Sequence, residues 1–504
     1  MLNRLCLRWA LVYLQKPNLM RKALTILFLL IAPIAYAQNI DITVVGSPDS
    51  VVSVSMPFNG RSWWPGKKEY KLDAANSLHI VNDVKQAGPV IISNNEKRET
   101  VFVEPGTSLK VTITTKNNRQ YLQVTGPNAD GILLARRFPH AFYQSKAKAY
   151  FKKDSTLAGF IKLINTDKEK ELHAFDSLFA LKKISPAFYN RTVLNNRYYY
   201  ATVLANVLCS QYLRSGANYP GHIASFAKDM EDAWAENYKV NPVNDEQATY
   251  ADAFFDYADS YISPYKIEYL AEKTGSYQPI TPENHFDITY KAFETSFTGG
   301  TREYMLFMFL YDQLIQKDYQ PQLVSLYKRF KATYPKSVYD QYLAPLENDI
   351  VVYQQKAAEA FKADQKVLAG NTINSFDELL AGFAGKTVYI DMWATWCGPC
   401  KEEFEFIPAV KKFLTANKIE MLYISMDNTA ADKQWQEMIR YYNLGGNHVR
   451  TSDNLRNDLI KKFWGGKGYA IPRYVIVKNG AIVEKDALRP SDKEKLFAQI
   501  SKYL

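Results

Sequence analysis

The stretch that most limits what this chain can become is Thr387-Val388-Tyr389-Ile390-Asp391-Met392-Trp393-Ala394-Thr395-Trp396-Cys397-Gly398-Pro399-Cys400-Lys401. Val388, Ile390 and Met392 form a short apolar run with β-branched residues, which predicts a buried strand. Phe406, Ile407, Val410, Phe413 and Leu414 fall on one face at 3.6 spacing, which predicts a helix soon after. The two cysteines sit at the junction. A cysteine at a helix start faces unpaired N–H groups and the positive end of the helix dipole. Both favour thiolate over thiol at Cys397, which is expected to be exposed. Pro399 fits near the first helical position, where its missing N–H is harmless. Gly398 keeps the turn free of side chain. Cys400 comes within disulfide reach of Cys397 once the first turn forms. A zinc half-site is the other use of C-x-x-C. Zinc asks for about four ligands, and the chain holds no second C-x-x-C and no H-x-x-x-H.

A C-x-x-C that follows a strand, an acid and two tryptophans, and that opens an amphipathic helix, resembles the active site of the thioredoxin superfamily. The run Cys400-Lys401-Glu402-Glu403-Phe404 resembles the C-x-x-E-F segment of extracytoplasmic thioredoxins of the TlpA/ResA type. The resemblance implies dithiol–disulfide exchange, with Cys397 as nucleophile and Cys400 as the resolving cysteine. It implies that Asp391 is a buried acid able to take a proton from Cys400, and that Glu403 lies beside the site at i+3 from Cys400. The residues alone leave a hydrated structural acid open at Asp391 and a solvated helix acid open at Glu403. Ile471-Pro472 matches the family's cis-proline loop, which packs on the disulfide and pairs its backbone with substrate. Trp396, Gly398 and Pro399 complete the expected substrate-binding face. One departure concerns the helix proline, usual five residues after the second cysteine. That position is Glu405 here, and Pro408 comes one turn later. A peroxiredoxin is excluded locally, because Thr395 lies two residues before Cys397 rather than three. The W-C-G-P-C run resembles reducing members, which implies protein disulfides as substrates and an electron donor at the membrane. No metal and no cofactor beyond the redox-active disulfide Cys397–Cys400 are implied.

At 504 residues the chain is too long for one ordinary domain. Residues 1–37 read as a secretory signal: Arg21-Lys22, an apolar core from Ala23 to Ile34, and the A-x-A site Ala35-Tyr36-Ala37, which predicts a mature start at Gln38 and a periplasmic or envelope location. An uncleaved anchor is the alternative, and Met20 offers an alternative start. The leader carries five of the cations and no acid, so its removal takes the net charge from +10 to +5. Cations and acids are otherwise mixed, which argues against a nucleic-acid surface.

The expected architecture is multidomain: an all-β sandwich over 38–126, an α-helical region over 127–372 and an α/β thioredoxin-like domain over 373–504. In the first, short strands such as Val51 to Ser55 and Leu109 to Thr114 alternate with turns such as Gly46-Ser47-Pro48-Asp49. Val101-Phe102-Val103-Glu104-Pro105-Gly106 resembles part of the small β domain that opens many secreted redoxins of Bacteroidetes type. In the second, periodic segments include Leu194 to Leu213, Tyr304 to Ile315, Gln322 to Tyr334 and Ile350 to Leu368, with a break at Gly216 to Gly221. The aromatics Tyr198-Tyr199-Tyr200 read as helix packing, with a partner groove as the alternative, and Cys209 as a buried small hydrophobe. In the third, the strand Ile419 to Ser425, a helix around Trp435 to Tyr442, the strand Tyr474 to Val477, the Asn479-Gly480 turn, the strand Ala481 to Glu484 and a last helix from Ser491 give the thioredoxin order. The rival reading, of another class, is a partner-binding or assembly protein that uses the helical region, with the thioredoxin domain as a platform.

Overall fold

The computed structural model describes residues 38–504 apart from 48–49, 64–65, 95–96, 118, 217–222 and 224. The expected signal, its cleavage site and the start at Met20 lie outside the described residues. So do Pro48 and Asp49 of the first turn and residues 217–221 of the expected helix break. The chain forms two compact units, one of residues up to 243 with 247–260, the other of 244–246 with 261–504. The helical region is therefore shared between them. Among the described residues no helix is long and apolar enough to cross a membrane.

The first unit opens with eight strands: β1 (Asn39–Val45), β2 (Val51–Ser55), β3 (Lys67–Lys71), β4 (Ser77–Val81), β5 (Gly88–Asn94), β6 (Lys97–Val103), β7 (Leu109–Lys116) and β8 (Arg119–Thr125). They form two four-stranded sheets, ordered β4-β1-β7-β8 and β3-β2-β5-β6. Alternate residues of both sheets enter one core, among them Ile40, Ile42, Val52, Val54, Val90, Val111 and Ile113. β3 is an addition to the predicted strands. Its sequence, Lys67-Lys68-Glu69-Tyr70-Lys71, suits an edge strand, where charge on the open side discourages further pairing. Six helices follow: α1 (Ala129–Ala135), α2 (Tyr143–Phe151), α3 (Leu157–Ala180), α4 (Pro186–Ser215), α5 (Lys228–Val240) and α6 (Phe254–Ser260). Ser185 caps α4 by accepting from the Phe188 N–H, with Pro186 in the first turn. Ile132, Phe175 and Phe188 close one end of the sandwich core. Tyr198, Tyr199 and Tyr200 are all buried within α4, so these rings are packing. Cys209 is only half-buried and forms no disulfide, which corrects the expectation of a buried hydrophobe: it stands in the last third of α4, past the buried run that ends at Leu208.

The second unit begins with an irregular helical segment, Tyr261–Leu270, broken at Ser263. The helices α7 (His285–Ser296), α8 (Gly299–Ile315), α9 (Pro321–Thr333) and α10 (Asp340–Ala357) follow. The periodic segment expected to run from Ile350 to Leu368 stops at Ala357. Gln365–Val367 instead forms strand β9, because its backbone completes the open edge of a sheet beside β12 and the Gln365 amide donates to the Ile439 carbonyl at 2.9 Å. The rest is α11 (Phe376–Ala381), β10 (Thr387–Trp393), α12 (Gly398–Glu403), α13 (Ile407–Ala416), β11 (Glu420–Ser425), α14 (Asp432–Tyr441), β12 (Gly446–Arg450), α15 (Asp453–Trp464), β13 (Arg473–Lys478), β14 (Ala481–Glu484) and α16 (Glu494–Ser501). The sheet order is β14-β13-β10-β11-β12-β9, with β10, β11, β12 and β9 parallel and β13 and β14 antiparallel. β9, at 365–367, thus lies upstream of residue 373, where the sequence reading begins this domain. Helices cover both faces, so β10 is buried along nearly its whole length rather than on alternate residues. The helical stretch packs on this fold through α14: Tyr353 Oη donates to Glu437 at 3.1 Å, and Arg440 Nε donates to the carbonyl of Ala357 at 2.7 Å.

Candidate active site

β10 delivers the chain to the site from the middle of the sheet, and a tight loop turns it into α12. Asp427, at the end of β11, holds that loop. Its carboxylate accepts from the Thr395 N–H and the Thr395 hydroxyl, both at 2.9 Å, and from the Ser425 hydroxyl at 2.7 Å. Sequence reading missed this clamp. Its only local signal is an acid that closes a buried strand, two residues after a serine.

Cys397 is the N-cap of α12, and its sulfur accepts from the Cys400 N–H at 3.2 Å. The two form a disulfide with Cα atoms 5.3 Å apart. Cys400 is fully buried and Cys397 is 4% exposed. The expectation of an exposed Cys397 is thereby corrected for the oxidised form: the disulfide and the backbone donor draw its sulfur in under the helix end, and the neighbouring Trp396 occupies the surface, 58% exposed. Pro399 is exposed in the first turn of α12. Gly398 has no atom within 4 Å of where a Cβ would stand, so the approach to the disulfide is open on that side. Ile471 and Pro472 are half-buried, and the bond between them is cis. The amphipathic helix expected after the cysteines is two helices. α12 ends at Glu403, a 3-10 turn covers Phe404–Phe406, and α13 starts with Pro408 in its first turn. Pro408 cannot donate a helical hydrogen bond, and the break lies just ahead of it, in the 3-10 turn that carries Glu405.

Asp391 lies in the centre of β10 with no exposure. Neither carboxyl oxygen has a hydrogen-bond partner. It pairs across the sheet with Tyr474, two residues past Pro472. Trp393, on the same face of the strand, meets the ring of Phe404 edge-on at 5.1 Å, which sets that face under the end of α12. Burial, and behind it the charge of Glu403, raises the Asp391 carboxyl well above the usual carboxylate range. Glu403, expected beside the site with a solvated helix acid left open, is not solvated. It is 7% exposed, and it accepts from the N–H and the hydroxyl of Ser491, each at 2.9 Å, with Arg489 4.0 Å away. The reason is tertiary: the turn that precedes α16 folds over α12 and supplies the donors.

Lys401 is a second residue that sequence reading passed over. It is 1% exposed. Its ammonium donates to the carbonyls of Gln316 at 2.7 Å and Lys317 at 3.3 Å and to Asp318 at 3.0 Å. Gln316 is the C-cap of α8, so the cation sits where that helix presents unpaired carbonyls and the negative end of its dipole. The residue next to Cys400 therefore locks the helical stretch to the active-site helix.

Residues 356–500 match the Redoxin family. A protein of Bacteroides vulgatus assigned as a thiol-disulfide oxidoreductase is 33% identical over 25% of this chain and 83% of its own, with a TM-score of 0.21. A protein of Chlorobium tepidum assigned as the thiol:disulfide interchange protein DsbE is 23% identical over 25% of this chain and 84% of its own, with a TM-score of 0.19. A thioredoxin-like protein of Bacteroides caccae is 14% identical over 42% of this chain and 84% of its own, with a TM-score of 0.20. With a C-x-x-C disulfide at the start of α12, a cis-proline loop and a redoxin match over the same residues, residues 356–500 form a thioredoxin-like domain of the redoxin family, of the thiol–disulfide oxidoreductase kind.

Proposed function

We propose that the protein is an exported thiol–disulfide reductase that acts on protein disulfides outside the cytoplasm. The observation that carries the reading is the Cys397–Cys400 pair at a helix start, with a buried, unpartnered Asp391 on the strand that leads into it. In the reduced protein the Cys397 thiolate, favoured by the helix start, attacks one sulfur of a substrate disulfide. A mixed disulfide forms and the first substrate thiolate leaves. Cys400 then loses its proton to Asp391 and attacks Cys397. The Cys397–Cys400 bond forms, the second substrate thiolate leaves, and two electrons have passed to the substrate. Glu403 raises the proton affinity of Asp391 by its charge and keeps its place through Ser491. No cofactor beyond the disulfide enters this cycle. A dithiol donor at the membrane resets it, and the A-x-A signal before Gln38 accounts for the location.

The test has two parts. Reduced protein is mixed with a protein disulfide of known structure, and Cys400→Ser is run beside it. The wild type is expected to turn over, and the variant to stop as a mixed disulfide on Cys397. The potential is then measured against glutathione. A value near the thioredoxin region, about −270 mV, fits a reductase, whereas one above roughly −180 mV contradicts that direction.

A further inference from the structure

From Cys397 a strip of aromatic rings leads outward. Trp396 lies 6.3 Å from Tyr469, centroid to centroid, and Tyr469 lies 6.0 Å from Trp464. The strip ends on cations. The Arg473 guanidinium stands 5.2 Å from the Trp464 ring and 5.5 Å from Phe463, and the Lys485 ammonium stands 5.8 Å from Phe463. Charge mixing along the whole chain does not hold here. Residues 459–483 carry Lys461, Lys462, Lys467, Arg473 and Lys478 and not one acid, with Asp458 just before the run and Glu484 and Asp486 on either side of Lys485 just after it. Lys462 pairs with Asp377 at 2.6 Å. Lys461 and Lys467 are exposed, and neither has a carboxylate partner among the described ion pairs.

The loop between Trp464 and Tyr469 is built for close approach. Gly465, Gly466 and Gly468 hold φ of 67°, 79° and 92°, a region that other residues enter at a cost. A Cβ at any of the three would meet open space. The glycines are therefore there for backbone shape rather than packing; Trp464, Tyr469 and Arg473 beside the loop are half-buried and Phe463 is buried.

We infer that this strip is the specificity surface of the site and that it selects disulfides flanked by acidic, extended polypeptide. The rings give flat apolar area for side chains next to the disulfide. The cations set the sign of the flank and speed its encounter with Cys397. This rests on the exchange reading above, so its test separates the two. Two linear peptides without cysteine, one acidic and one lysine-rich but otherwise identical, are titrated into the oxidised protein. The acidic peptide binds about tenfold more tightly at low salt, and the gap narrows as salt rises. Lys461→Glu with Lys467→Glu removes or reverses the preference, while turnover of 2-hydroxyethyl disulfide by the reduced variant stays at the wild-type rate. Equal binding of the two peptides, or an oligonucleotide binding as tightly as the acidic peptide, overturns the strip whatever the turnover. A preserved preference with no turnover of 2-hydroxyethyl disulfide overturns the exchange reading and leaves the strip standing.

Discussion

β7 in the first unit and β10 in the second are strands of similar length with opposite habits. β7 alternates buried and exposed residues, because its sheet has one face in the sandwich core and one towards solvent. β10 is buried at six of its seven positions. The difference decides what each region does with a carboxylate. In the first unit a buried acid has a partner: Glu99 accepts from Arg136 at 2.8 Å, and Glu171 lies 3.1 Å from the His140 ring nitrogen. In the second unit Asp391 is more deeply buried and has none. Glu99 reaches Arg136 from β6, whereas Asp391, in a middle strand of a sheet covered on both faces, reaches no donor. An acid held without a partner is the kind of group the proposed proton transfer needs.

The largest effect expected from that contrast is opposite in sign in the two regions. Asp391 has a native pKa above its unfolded value, so its favourable contribution is present below about pH 3.9 and is lost as pH rises through the native pKa. Asp391→Asn removes this loss. Hydrogen exchange of β10 amides should therefore slow in the variant relative to wild type as pH rises, by at most about 1.4 kcal/mol per pH unit inside that window. Arg136→Ala, by contrast, strips Glu99 of the partner that opposes its burial, and should speed exchange in β6 by roughly 1–2 kcal/mol once pH is above the raised Glu99 pKa. Equal and same-signed responses would break the comparison.

A smaller effect is expected at Lys401. Lys401→Met leaves the last carbonyls of α8 and Asp318 without their cation, though Asp318 is 45% exposed on its side chain and water replaces part of the loss. About 1 kcal/mol of local stability should go, read as faster exchange at the end of α8. No change there would mean that the lysine is merely accommodated. The smallest effect belongs to Glu403→Gln. The amide keeps one acceptor for Ser491 and loses the charge beside Asp391. The pH midpoint of the resolving step should move down, because one of the two causes that raise Asp391 has gone. An upward move would contradict the assignment.

The site residues that sequence reading found are those whose chemistry is local. Strand, turn and helix start are adjacent in the chain, so Asp391, Cys397 and Cys400 declare themselves within ten residues. What escaped depends on distant partners. The i+3 spacing marks Glu403 as a candidate, but its burial escapes because it depends on Ser491, 88 residues on, which folds over it. Lys401 reads as a surface lysine until the end of α8, 85 residues earlier, covers it. β3 was passed over because an edge strand of lysines has the composition of a loop. β9 was read as helix because three residues are too few to show a period of two. The tyrosines of α4 were legible as core because their number on one helix exceeds what a surface would bear.

Single-turnover reduction of a model disulfide by the wild type and by Asp391→Asn, followed by stopped flow from pH 5 to 9, tests the central claim most directly. Attack by Cys397 is expected to keep its rate in the variant, while resolution by Cys400 slows by about 10²-fold at neutral pH, the usual scale for a general base. If both rates are unchanged across that range, Asp391 is structural and the proton leaves Cys400 by another route.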